Sequence, residues 1–212
     1  MLELARHLLD RMAEGRRVAV VTVTGVAHSA PRGIGASMAV CDDAEVIGSI
    51  SGGCVEGDSI ELAHRVLAGG PARAARFGFD DETAHAAGLA CGGQIDVLTF
   101  ALHDDDVTRS ALKAAADGRS ATVGLVLEGP DVGRIVAADD GELAACALLA
   151  ETRVIGSSPR VLALSRAPRP RLIIAGATDH AAALCRVGAA AGFAVTIVDP
   201  WQLLVTAERF PD

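Results

Sequence analysis

The sequence predicts an α/β fold in two parts: a mixed α/β domain over residues 1–167 and an incomplete parallel βαβ domain over 171–212. Three observations carry this. Runs of β-branched residues alternate with segments of helical periodicity. The stretch Ala167-Pro168-Arg169-Pro170 interrupts the pattern, and a Pro-rich segment between apolar runs suits a domain boundary. Beyond it the order is one strand, one helix and one strand.

Leu2 to Ala13 places apolar residues at helical spacing, with Glu3, Arg6 and Asp10 on the opposite side. Arg17 to Thr24 is rich in β-branched residues and reads as a buried strand. His28 to Gly35 is turn-rich. Ala36 to Val40 and Val46 to Ser49 read as a hairpin turned through Cys41-Asp42-Asp43. Ser51 to Cys54 is a Gly-rich loop, and Val55 to Leu67 a helix ended by Gly69-Gly70. Ala72 to Phe77 reads as a strand, Gly78 to Gly93 as irregular or partly helical, and Gln94 to Phe100 as a strand. Asp104 to Asp117 is a helix whose acidic start suits its dipole. Ser120 to Leu127 and Gly133 to Ala137 form an antiparallel pair, with Val161 to Leu164 one strand more. After the linker, Arg171 to Ala175, Asp179 to Ala191 and Ala194 to Val198 make the βαβ unit. One such unit leaves a parallel sheet uncovered, which suggests a longer natural chain or a truncated form.

Composition excludes some roles. Half of the 212 residues are apolar, enough for a sizeable core. No apolar run reaches the roughly 18 residues a membrane span needs, and the N-terminus lacks a signal-type apolar stretch. A net charge of −8 with no basic face argues against nucleic acid. With no Tyr and one Trp there is no stacking platform for bases. Five widely spaced cysteines make a disulfide framework improbable and point to a reducing cytoplasm.

Four segments carry candidate chemistry. In Ser51-Gly52-Gly53-Cys54-Val55-Glu56-Gly57-Asp58 the glycines let the backbone approach a ligand, and the following helix start offers free N–H groups to an anion. Cys54 sits at that helix start, where the dipole favours thiolate. The plainer reading is a tight strand-to-helix turn with a small buried Cys. Gly88-Leu89-Ala90-Cys91-Gly92-Gly93-Gln94 places a second Cys beside a Gly pair, which suggests two loops meeting at one site or simply a strand-entry bulge. In His28-Ser29-Ala30-Pro31-Arg32-Gly33, Arg32 suits bidentate binding of phosphate or carboxylate, or is an ordinary exposed loop arginine.

Gly176-Ala177-Thr178-Asp179-His180-Ala181 follows a strand and opens a helix, the context of the dinucleotide fingerprint. Gly176 and Ala181 fit its outer positions, Thr178 replaces its middle glycine, and Asp199 stands where a ribose-binding acid belongs. This makes the unit Rossmann-like while leaving nucleotide binding doubtful. His180 is a possible ligand contact, though such a His more often caps or packs. Metal motifs are poor: the E-x-x-H pairs Glu61/His64 and Glu82/His85 arise readily by chance on helices.

Taken together these segments resemble the xanthine dehydrogenase accessory factor family (XdhC/CoxI). The resemblance rests on Ser29-Ala30-Pro31-Arg32, Gly35-Ala36-Ser37-Met38, Gly48 to Glu56, Gly88 to Gly93, and the stretch Arg171 to Asp212 with Val198-Asp199-Pro200 and Glu208-Arg209-Phe210-Pro211. It implies a bacterial, cytoplasmic, commonly dimeric protein with an N-terminal α/β domain and a Rossmann domain. It implies binding of molybdenum cofactor (molybdopterin), its protection during sulfuration, and its delivery to a molybdenum hydroxylase apoenzyme of the xanthine dehydrogenase or CO dehydrogenase type. A cysteine desulfurase is a possible further partner; nucleic acid and membrane are not expected. Arg32, Ser51, Gly52, Gly53, Cys54, Glu56, Cys91, Gly92, Gly93, Gly176 and Asp199 are the expected cofactor contacts, with Cys54 the metal ligand, since soft sulfur suits such a centre. No catalytic residue is expected in a protein that holds rather than converts. Two alternatives stand: an NAD(P)-dependent oxidoreductase, and a non-catalytic adaptor that recruits a sulfurase.

Overall fold

The structure, a computed structural model, describes residues 1–78, 93–139 and 141–210. The fold is α/β and divides into two compact units, Met1–Ala167 and Pro168–Asp212.

The first unit is built on a five-stranded antiparallel sheet of β1 (Val18–Ala27), β2 (Ser37–Cys41), β3 (Val46–Gly48), β4 (Arg73–Gly78) and β5 (Gln94–Ala101). Their order is β3-β2-β1-β5-β4. Side chains alternate across a strand, and β1 is apolar at both phases. Val18 and Val20 enter one core with Leu98 and Phe100; Ala19, Val21 and Val23 enter a second core with Val40, Ile95 and Val97. The sheet is therefore buried on both faces. On the second face lies α2 (Glu56–Leu67), through Ala63, Val66 and Leu67. On the first lie α1 (Ala5–Ala13), α3 (Asp106–Ala116), and a four-stranded antiparallel sheet of β6 (Ala121–Val126), β7 (Ile135–Ala137), β8 (Arg153–Ile155) and β9 (Val161–Arg166). That sheet has the order β7-β6-β9-β8. Burying each Val or Leu of this shared core stabilises the unit by roughly 1.5–3 kcal/mol.

The departures from expectation have local causes. The first turn, Leu2–Leu4, is a 3₁₀ turn, and α1 begins at Ala5. β1 runs three residues beyond Thr24, because its ladder with β5 shifts register between Val23 and Gly25 rather than ending. A Cβ at Gly25 would lie 2.9 Å from Asp96 Oδ2, so the Asp96 side chain packs close over the backbone at the shift. A helix, α4 (Gly141–Leu149), and β8 escape sequence reading. α4 buries Cys146 against Ile155 and Ala163 yet leaves Leu148 88% and Leu149 74% exposed, so its apolar residues trace no single stripe. Of the segment expected to be irregular, residues 79–92 lie outside those described.

In the second unit β10 (Arg171–Ala175) and β11 (Ala194–Val198) pair in parallel, Ile173 facing Thr196, with α5 (Asp179–Ala190) between them in sequence. Ile174, Ala181 and Cys185 form its core. Thr178 caps α5 by accepting the Ala181 N–H at 3.2 Å.

Candidate functional site

The loop between β3 and α2 is organised around one carboxylate. Glu56, the first residue of α2, folds back over the loop that precedes it. Its Oε1 accepts the Ser49 hydroxyl at 2.7 Å and the N–H groups of Ile50, Ser51 and Gly52 at 3.2, 2.9 and 3.1 Å. Its Oε2 accepts the Ser51 hydroxyl at 2.5 Å and the N–H groups of Gly53 and Val55 at 2.9 and 3.2 Å. To wrap a carboxylate this tightly the chain enters the left-handed region at Gly52 (φ +85°) and Gly53 (φ +121°), which other residues rarely adopt. Burial alone would raise the Glu56 carboxyl. The Ser51 and Ser49 hydroxyls and the loop amides outweigh it and hold the group at about 2.

The loop amides expected to receive an external anion thus already hold an internal one. Glu56 belongs to the cradle as its occupant, and Ser51, Gly52 and Gly53 make the cradle. Cys54 lies on the rim. Its N–H donates to Ser51 Oγ at 3.1 Å, and its side chain is exposed rather than buried. It stands two residues before α2, with Val55 at the helix cap.

Three of the segments singled out in the sequence meet here. Ser29, Ala30 and Pro31, Ser51 and Cys54, and Gly93 line one shallow notch of about 30 Å³, with Phe77 and Ile95 as its apolar floor. Cys91, Gly92 and the Glu82/His85 pair lie outside the described residues. Arg32 does not join the notch. Its Nη2 lies 2.6 Å from Glu3 Oε2, and it lines a separate cavity with Glu3 and Arg166. Gly176 and Asp199 belong to the second unit. The Asp199 carboxylate accepts the N–H groups of Ala177 and Trp201, both at 2.7 Å, and these bonds hold it below the usual carboxylate range. The acid expected to meet a ribose is tied to its own backbone, and Thr178 is tied up as a cap.

Sequence reading missed Ser49 and Glu3. An acid at the first helical turn just after a Gly pair was the available signal for the loop, because helix starts attract carboxylates. Among the described residues the one cluster of three metal-type ligands is Cys41, Asp43 and Glu45, away from Cys54. Its acids already pair with Arg16 and Arg11, and burial pushes the Cys41 thiol up to about 11. It is an ion-pair cluster.

Comparison with known proteins finds a family likeness over part of the chain. Residues 11–78, which span β1 to β4 with the whole Ser51–Glu56 loop, match the XdhC and CoxI family. The match covers about a third of the chain and is a likeness over that segment. A solved structure described as a xanthine dehydrogenase from Bacillus halodurans matches 99% of this chain with a TM-score of 0.72 and 20% identity, a likeness of fold. The chain spans 65% of that structure's length. No curated protein matches it. No helix among the described residues is long and apolar enough to cross a membrane.

Proposed function

We propose that the protein is an accessory factor in the maturation of xanthine dehydrogenase-type molybdenum hydroxylases, and that it holds molybdenum cofactor through Cys54. The observation that carries this is an exposed thiol on a loop clamped by Glu56, beside the Ser29–Pro31 and Gly93 segments. A thiol fits the metal end of the cofactor by its softness. The phosphate end fits less well, since the loop amides are filled by Glu56 and Arg32 faces another cavity. The notch among described residues is also far smaller than the roughly 300–1,000 Å³ of an enclosing small-molecule site. When bound, the cofactor supplies a soft metal centre. The chain's own part is to present one thiol in a fixed place and leave the cofactor otherwise accessible, as a handover requires. A hydroxylase apoenzyme and a cysteine desulfurase are the partners this role calls for, and a homodimer is the expected assembly.

The test is anaerobic incubation with molybdenum cofactor, removal of free ligand, and quantification of retained pterin and molybdenum. Near-stoichiometric retention that is lost in Cys54→Ala is expected. Equal retention by Cys54→Ala would remove Cys54 from the site. The filled cradle favours a second reading, an adaptor that binds the apoenzyme or a sulfurase directly. It predicts no retention by either protein with partner binding intact. The oxidoreductase alternative has less support, because Thr178 and Asp199 are both engaged by local backbone.

A further inference from the structure

We propose that a second cavity, lined by Arg32 and Arg166, binds a small phosphate monoester. The inference does not rest on the role of Cys54.

The cavity has a volume of about 320 Å³ and lies wholly within the first unit. This is within the range of small-molecule sites. Four chain segments converge on it: the 3₁₀ turn with Leu2 and Glu3, the turn from Arg32 to Ala36, Thr152 just before β8, and the end of β9 from Leu164 to Arg166. Gly35 sits at φ +90°, and a Cβ there would lie 2.7 Å from Thr152 Cγ2, so the Arg32 turn presses directly on the opposite wall.

Its charge is unbalanced. Glu3 is the one carboxylate in the lining, against two guanidinium groups. Glu3 is also committed: Oε1 accepts the Ser37 N–H at 3.0 Å and Oε2 meets Arg32 at 2.6 Å. It holds Arg32 in place through one edge of the guanidinium. The Arg166 side chain has no ion pair or hydrogen bond among the described residues. Met1 lines the same cavity as both arginines. The Met1 amine is pushed to about 5, first by burial, with Glu3 opposing and both Arg32 and Arg166 adding to the fall. Arg32 and Arg166 are the basic side chains of the lining.

Two guanidinium groups in one lining are suited to one oxyanion, because each offers paired N–H donors. Leu2 and Leu164 add apolar lining for a short organic tail, which selects a monoester over free phosphate.

Calorimetric titration of the full chain with glycerol phosphate and, separately, with inorganic phosphate tests this. Saturable binding of the monoester is expected, tighter than that of inorganic phosphate. It should weaken by about tenfold or more in Arg166→Gln, the loss of one charge-assisted contact. Cys54→Ala and the surface control Arg134→Gln are expected to bind as the wild type does. Absence of saturable binding to the wild type overturns the proposal, as does unchanged affinity in Arg166→Gln. Preference for succinate over either phosphate overturns the ligand class. Should Arg166→Gln fail to fold, amide shifts in the wild type decide the matter: changes at Gly33, Gly35 and Ser165 on titration support the site, and changes confined elsewhere refute it.

Discussion

Glu56 does for its loop what a bound phosphate does for other glycine-rich loops: it collects N–H dipoles that would otherwise face one another across open space. The consequence is testable at one atom pair. Glu56→Gln keeps the size and removes the charge, leaving a poorer acceptor that also brings unwanted donors to the amides of Ile50 to Gly53. Faster hydrogen exchange at these amides is expected, with faster alkylation of Cys54 by iodoacetamide. The acid response follows from the depressed carboxyl. The folded value is about 2 against roughly 4.3 for a free Glu. The stabilisation is therefore complete above the unfolded value and is lost as pH falls from there towards 2. Wild-type loop protection should drop over that acid window, while Glu56→Gln shows no such drop. The sequence showed the loop and its cysteine plainly, since Gly-Gly beside Cys at a helix start is a local signal. It did not show the occupant, because one carboxylate accepting from five amides is a fact of three dimensions.

Among the elements, legibility followed periodicity. β1 was readable because both of its faces are apolar, α2 because its burial repeats at helical spacing, and the βαβ unit because its strands and helix are cleanly separated. α4 was not, because a helix with Cys146 inward and Leu148 and Leu149 outward has no stripe to detect. β8, at three residues, is too short for alternation to register. Thr178 was read as a damaged glycine position, whereas its hydroxyl is the N-cap of α5. Thr178→Ala should therefore destabilise that helix by about 1 kcal/mol, and Thr178→Ser should recover the loss. Far-UV melting of the three proteins measures both changes. Equal melting curves would mean that the cap contributes nothing.

At the scale of the first unit, stability rests on a core shared between two sheets. Phe100 is 1% exposed and packs among residues of both, with Leu98 on its own strand and Leu125 and Leu162 on the other sheet. Phe100→Ala should cost about 3–5 kcal/mol. Denaturant unfolding should show both sheets weakened together, in a single transition at lower midpoint. A midpoint within error of the wild type would show that the sheets do not depend on this core.

The same ladder sets a clock. Val20 lies opposite Phe100, so the middle of the sheet stays open until nearly half of the 212 residues exist. With synthesis running from the N-terminus at about 5–20 residues per second, β1 waits on the order of 4–16 s for β5. During that interval a ten-residue strand with seven Val and Ala residues has β2 for company on one edge and nothing on the other. Until β5 arrives, β1 is itself a segment in need of being held.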